Sequence, residues 1–324
     1  MDPLSDVLSL LRPKSHLAAA LDMGGEWSIQ FSDQQGGIKC SAMVLGSCWL
    51  AVDGISAPVR VHAGDVFLLP SGRPFRLATD LSLSPVAATD IIPKNRVGPV
   101  STIGGGGDAF LISSRFSLND DASSVLLNVL PPIVLVRGDT NEAAQLRNFI
   151  ELIVTELRDQ KAGGALAINH LAHLILVHCL RVYQSGEPDR VGWFYAIDDD
   201  RVGSALSAMH STPSRKWTLE QLAQTCGMSR SVFARRFKET VGETPMDYLT
   251  RWRMLRAADR LASSDESISI IAETLGYDSD SAFSATFKKV MGVSPRAYGR
   301  SRKAEKHPRL GLGFASSQLE SFEL

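Results

Sequence analysis

Residues 217–249, WTLEQLAQTCGMSRSVFARRFKETVGETPMDYL, decide how this chain reads, because their pattern returns about fifty residues later. Ser229, Ser231, Phe233, Phe237, Lys238, Gly242, Pro245 and Tyr248 recur as Ser279, Ser281, Phe283, Phe287, Lys288, Gly292, Pro295 and Tyr298. Upstream, Ala223 and Gly227 match Ala272 and Gly276 at an offset one residue shorter. Two copies are too few for a solenoid, which needs at least about three repeats to bury a core, so the stretch reads as a duplicated small module.

Each copy spells helix, tight turn, helix. Thr218 and Gln221, three apart, make a capping box. Gly227 supplies the turn, and Ser229 stands where it caps the next helix. Phe233 and Phe237, four apart, point inward together, leaving Arg230, Ser231, Ala234 and Arg235 on other faces. Thr244-Pro245 starts a closing helix that is expected to run to about Ser263. In the second copy Ile268, Ile271 and Ala272 are the apolar side, Gly276 the turn, Ser279 the cap, Phe283 and Phe287 the inward pair, and Ser294-Pro295 the next helix start.

Charge follows the same division. The chain of 324 residues has a net charge of −1. Between Thr212 and Lys306 there are 17 Lys and Arg against 11 Asp and Glu, a net of +6, so the remainder carries −7. One domain suits a polyanion and the other does not. The four cysteines, Cys40, Cys48, Cys179 and Cys226, form no C-x-x-C pair and fit a reduced, cytoplasmic setting. No basic region precedes an apolar run at the N-terminus, against a signal peptide. The apolar runs Val125–Val136 and Leu171–Leu180 are too short to span a bilayer, so no membrane partner is expected.

Ahead of the repeat, Leu4, Val7, Leu8 and Leu11 predict a short first helix closed by Pro13. From Trp27 to about Leu81, short apolar runs alternate with turns at Asp33–Gly37, Gly46-Ser47, Asp53-Gly54, Ala63–Asp65 and Pro70–Gly72, predicting a β-sandwich or barrel. Gly104 to Gly107 lack the Lys-Ser/Thr ending of a phosphate-binding loop and read as a flexible linker within the sheets. Asp139 and Glu142 resemble a capping box that opens a helix carrying Leu146, Phe149, Ile150, Ile153 and Leu157. Gly163-Gly164 breaks it. A second helix from about Ala165 to Tyr183 carries Leu171, Leu174, Ile175 and Leu180, giving a hairpin at about 139–184 that is a candidate dimer surface. His170, His173 and His178 lie on this helix, but His178 points about 140° away from His173, which opposes a shared metal. The polar stretch Gln184–Arg190 marks the boundary, and a short helix near Val202–His210 leads into the repeat. The fold class is therefore α+β. The expected domains are 1–190, β-rich with the helical hairpin, and 200–300, all-α with two helix-turn-helix units; 301–324 is expected to be a disordered tail.

The G-Y-x-S-x-S-x-F-x-x-x-F-K stretch from Gly276 and the G-x-S-P-x-x-Y stretch from Gly292, with their first-copy counterparts, resemble the AraC/XylS transcription regulators over about a hundred residues. That resemblance implies a double-stranded promoter DNA partner, with RNA polymerase a further one. It implies that Ser231, Ala234 and Arg235, with Arg230 at the rim, face bases in the first unit, and Asp280, Ser281, Ser284 and Ala285 in the second. Lys238 and Lys288 are expected to meet phosphate or solvent. The two units differ: Arg235 can donate two bonds to guanine, whereas Ala285 offers only apolar contact, and Asp280 repels phosphate unless it accepts from a cytosine amino group.

Gly64–Phe75 is similar to the second motif of cupins, and Gly46–Gly54 resembles the strand-turn-strand after the first. The likeness extends loosely over residues 3–183 and implies a cupin-like sensor and homodimerisation domain. Where metal-binding cupins carry histidines this chain has Ser41 and Phe75, so neither a metal nor another cofactor is expected, and an enzyme is disfavoured. Trp27, Trp49, Phe67 and Phe75 are candidate walls of a small-molecule effector pocket, although residues of this kind are more often simply core. Three readings stand: a ligand-controlled regulator, a regulator whose cupin-like part is only a scaffold, and a cupin enzyme fused to a DNA-binding module. Activation and repression both remain open.

Overall fold

Eleven strands of the described chain form two sheets. The computed structural model describes residues 2–32, 37–92, 100–118, 123, 127–186 and 190–306. Residues 33–36 of the expected first turn, 125–126 of the first apolar run, 187–189 of the expected boundary and 307–324 of the expected tail lie outside them.

The six-stranded sheet has the order β11 (Val134–Val136), β6 (Val66–Leu69), β3 (Ile38–Leu45), β10 (Ala109–Ser117), β1 (Lys14–Met23), β9 (Val100–Ile103). The five-stranded sheet runs β5 (Val59–His62), β4 (Ser47–Val52), β7 (Phe75–Ala78), β2 (Ser28–Phe31), β8 (Val86–Ala87). Pairing is antiparallel except for β1 with β9 and β2 with β8. The faces meet through Leu21, Met43, Phe67 and Leu111 on one side and Ile29, Leu50, Phe75 and Leu77 on the other. Strand β4 alternates buried and half-exposed residues because only one of its faces is covered. Strand β3 is buried over its first six residues, since its second face is covered too, and it therefore lacks an alternating pattern.

The second cover is the helical hairpin. After the first helix α1 (Pro3–Leu11) and a short α2 (Ala88–Ile91) come α3 (Ala144–Asp159) and α4 (Gly164–Ser185). Ile153 of α3 and Ala172 and Ile175 of α4 meet Cys40, Ala42 and Ile112 across a cavity of only about 10 Å³, close to the minimum for one water. Burial pushes the Cys40 thiol up to about 12. Among the described residues, α4 has the length and apolarity to cross a membrane, contrary to the expectation from the shorter run Leu171–Leu180. It packs on the sheet: His173 places Nδ1 and Nε2 each 2.7 Å from the carbonyl oxygens of Asn169 and Pro13, with its ring against Phe116. Helix α3 begins five residues after Asp139. Its N-cap, Ala143, makes no side-chain bond, and Arg147 reaches back to the Gly138 and Thr140 carbonyls to hold that stretch as a turn. Leu174, expected on the apolar stripe, is exposed.

Gly104 to Gly107 form a close-fitting turn between β9 and β10, not the flexible linker expected. All four have positive φ, a Cβ at Gly104 would lie 2.1 Å from the Gly24 carbonyl oxygen, and the Gly107 amide donates to Asp22 at 2.8 Å. A second device closes the sheet edge. Asp65, buried, accepts from Arg137 Nη1 at 2.8 Å and from the Gly138 and His62 amides, each at 2.9 Å.

The remaining helices are α5 (Trp193–Ala196), α6 (Val202–Ser211), α7 (Leu219–Thr225), α8 (Arg230–Val241), α9 (Pro245–Ser263), α10 (Ile268–Thr274), α11 (Asp280–Met291) and α12 (Pro295–Lys306). Helix α12 continues through Ser301–Lys306, where the tail was expected to begin. The chain divides into two compact units. One runs to Thr212 and adds Trp217–Tyr248; the other comprises Pro213–Lys216 and the described chain from Leu249. This partition differs from the one expected from pattern, because the first helix-turn-helix falls with the sheets. The segment between them explains why. Trp193, Phe194 and Tyr195 are buried, the Tyr195 hydroxyl donates to the Val129 carbonyl at 3.1 Å, and the Gly192 amide donates to the Thr240 carbonyl at 2.8 Å. Asp199 accepts from the Val202 and Arg201 amides and pairs with Arg236 of α8 at 2.7 Å.

Burial alone would raise the Asp199 carboxyl, but the Arg236 guanidinium and the two amides outweigh it and hold the group below the usual carboxylate range. A depressed pKa contributes stability above the unfolded value and loses it as pH falls through the folded one. Asp199→Ala is therefore expected to cost about 1–2 kcal/mol near pH 7, for two lost hydrogen bonds from backbone amides and a partly exposed ion pair. The deficit should shrink as pH drops through and below the ordinary value of 3.8. Urea melts of both proteins at neutral and acid pH check this; a gap independent of pH contradicts it.

Candidate nucleic-acid interface

In the first motif, Thr218 and Gln221 form the reciprocal capping box at the start of α7. Gly227 turns the chain at φ 62°, and Ser229 takes the N-cap position of α8, although its side chain makes no capping bond. Phe233 and Phe237 are fully buried with ring centroids 5.6 Å apart. Their burial fixes the rotation of α8. Arg230, Ser231, Arg235 and Lys238 are consequently exposed and Ala234 half-exposed. Successive residues on a helix advance by about 100°, so Ser231, Arg235 and Lys238 share the face opposite the phenylalanines.

The second motif repeats the frame. Ser267 caps α10 through the Ile270 amide, Gly276 turns the chain at φ 83°, and Ser279 caps α11 through the Ala282 amide. Phe283 and Phe287 are fully buried at 5.8 Å. Asp280, Ser281, Ala285 and Lys288 are exposed and Ser284 is half-exposed. Asp280 stands in the first helical turn, where a carboxylate is favoured by the helix dipole. Its carboxylate also accepts from Ser269 Oγ at 2.5 Å. That gives Asp280 a local structural role that spacing alone did not reveal.

Several cations of the basic domain are already paired. Arg236 pairs with Asp199, Lys216 with Asp278 and Arg260 with Glu266. Arg253 donates to the Pro213 and Arg215 carbonyls and lies over the Tyr277 ring. Burial lowers the Arg253 pKa and raises that of Tyr277, each partly offset by the other. Arg235 is different: its side chain is 74 % exposed and lies 4.0 Å from Glu239.

The candidate pocket residues separate. Trp27, Phe67 and Phe75 lie in the core between the sheets, Phe75 stacked on Phe31 at 4.5 Å. The Trp27 indole Nε1 is buried with no hydrogen-bond partner. Trp49 faces away from the core and stacks against the Arg60 guanidinium at 5.3 Å, so it is not a wall of an internal pocket. Ser41 bonds Ser113 at 2.7 Å between oxygens, and among the described residues no group of three or more His, Cys, Asp and Glu could hold a metal. A groove of about 400 Å³, which sequence reasoning missed, lies elsewhere, lined by Leu135, Arg137, Glu142, Val182 and Tyr183 among others. Its lining comes from separate elements and carries no motif. Also missed was a buried polar cluster of Asp6, His210 and Tyr248; the one available hint was that Tyr248 recurs as Tyr298.

Comparison with known proteins places these features. The cupin family profile matches residues 2–184, and a helix-turn-helix domain profile matches residues 222–301. A putative AraC-like transcription regulator of Streptomyces lividans is 40% identical over 96% of this chain and 100% of its own. A second, from Streptomyces antibioticus, is 39% identical over 95% of this chain and 99% of its own. The DNA-binding domain of AdpA, solved in complex with a target DNA, aligns with 34% of this chain and 98% of its own at 29% identity and a TM-score of 0.32. With a cupin domain ahead of a duplicated helix-turn-helix, the chain belongs to the AraC-like family of DNA-binding transcription regulators.

Proposed function

We propose that α8 and α11 are the helices that enter the major groove of promoter DNA, and that they read it unequally. The carrying observation is the matched burial of Phe233–Phe237 and Phe283–Phe287, which turns equivalent faces of two helices outward while the residues on those faces differ. On α8, Ser231, Ala234 and Arg235 contact bases, Arg230 sits at the rim and Lys238 meets phosphate. On α11, Ser281, Ser284 and Ala285 approach bases, Lys288 meets phosphate, and Asp280 mainly secures the helix start through Ser269. The exposed Arg235 guanidinium is the group with the geometry for a bidentate bond to guanine. The pattern-based division, 1–190 for sensing and dimerisation and 200–300 for DNA, is kept as a functional partition; the profile matches at 2–184 and 222–301 support it.

We further propose control by a small molecule. Two features support it: the unpartnered Trp27 N–H among apolar side chains, suited to an apolar ligand with one acceptor, and the ligand-sized groove beside Arg137 and Tyr183. Leu152, Leu166 and Leu174, exposed on the hairpin, support a homodimer surface. The protein acts in the cytoplasm, through RNA polymerase and without enzymatic activity. Thermal-shift screening with a broad metabolite library, followed by sedimentation of any responding mixture, tests control and dimerisation together. A flat screen favours the scaffold reading, and a monomer at micromolar concentration contradicts the dimer.

Arg235→Ala is expected to weaken binding to the cognate duplex by about 1–3 kcal/mol. The slope of affinity against salt should change little, because phosphate contacts set that slope. Fluorescence anisotropy across a salt series measures both. Unchanged affinity would remove Arg235 from base recognition.

A further inference from the structure

His210 lies in the last turn of helix α6, outside both repeats, and is 1% exposed. Its ring has a polar neighbour on each of two sides. Nε2 lies 2.7 Å from the Tyr248 hydroxyl, and Nδ1 lies 3.3 Å from an Asp6 carboxylate oxygen. Asp6 belongs to α1, the first helix of the chain, whose Leu4, Val7, Leu10 and Leu11 are buried. The cluster thus ties together three elements that are distant in sequence: the N-terminal helix, the helix ahead of the repeat and the start of α9. Burying a charged or polar ring is costly unless its partners arrive together, so the cluster favours one arrangement of these elements over others.

The cluster continues into the first reading helix. The Tyr248 ring packs on Phe237 with centroids 5.9 Å apart, and Phe237 on Phe233. Those phenylalanines set the rotation of α8 and hence the direction of Ser231 and Arg235. In the second copy the matching ring, Tyr298, packs on Phe287 at 5.5 Å in the same way, with Arg302 over its other side. The tyrosine ring was therefore kept in both copies for packing. The first copy joins it, in addition, to a histidine and a carboxylate from outside the repeat.

We propose that Asp6, His210 and Tyr248 are positioning residues for DNA recognition: through them α1 of the cupin domain sets the pose of the first helix-turn-helix. The N-terminal domain is then a working part of the first reader, and a disturbance of α1 reaches Arg235 through contacts of one residue to the next. This rests on the reading that α8 enters the groove.

The test uses the full chain and the duplex recovered by selection from a random pool, with discrimination measured as affinity for the intact site over one with a scrambled half. Asp6→Asn and Tyr248→Phe preserve shape and remove one partner each. Each is expected to lower discrimination at the half-site read by α8 by about 3- to 10-fold, with the other half unaffected, and the double variant should lose less than the product of the two. Tyr298→Phe should leave that half-site's discrimination unchanged, and Asp6→Glu should recover part of what Asp6→Asn loses. Arg235→Ala separates the two levels. If it leaves that discrimination intact, the assignment of α8 as reader fails. If it abolishes discrimination while Asp6→Asn and Tyr248→Phe behave as wild type, the positioning role is overturned. Equal loss at both half-sites, tracking a lowered melting temperature, also overturns it, by reducing the cluster to general stability.

Discussion

Two phenylalanines four residues apart on a helix must both be buried or both exposed, and burial leaves the helix one rotation. Phe233 with Phe237, and Phe283 with Phe287, impose that constraint on both motifs, and all four side chains are fully buried. Which residues face outward, where the turn glycine must fall and where the next helix can begin all follow from it. The repeat conserved this frame while the outward positions drifted from Arg230 and Arg235 to Asp280 and Ala285. Duplicated packing with divergent faces is the physical basis on which we propose two readers of unequal selectivity.

The cupin half is governed by double coverage. Its six-stranded sheet is sealed on one face by the second sheet and on the other by the helical hairpin, so its central strands have no polar face to show. Several polar groups inside sit in pairs or clusters: Ser41 with Ser113, Asp65 with Arg137 and two backbone amides, His210 between Asp6 and Tyr248. The first two close the sheets. The third connects α1 to the first helix-turn-helix, beside the contacts of the Trp193–Asp199 segment.

Local signals carried much of this into the sequence. The capping box at Thr218, the positive-φ glycines at Gly227 and Gly276, and the span of Pro245–Ser263 were readable because neighbours within a few residues determine them. Strand β1 was not read, since Lys14–Met23 mixes polar and small residues that only its two partner strands organise. The Asp139 capping signal misled because Arg147 reaches back to the Gly138 and Thr140 carbonyls and holds that stretch as a turn. Trp49 looked like a pocket wall because strand alternation leaves the choice of face open until Leu50 is known to face the core. Contacts across two hundred residues, such as Asp6 with His210, leave no periodic trace at all.

Whether two copies of one frame read DNA unequally is decided at the level of single bases. The most direct measurement is the affinity of the wild-type protein for every single-base variant of its selected duplex at fixed salt. Penalties of about 1–3 kcal/mol per base are expected to cluster within one half-site, with small penalties in the other. Penalties of equal size and number in both halves would contradict unequal reading.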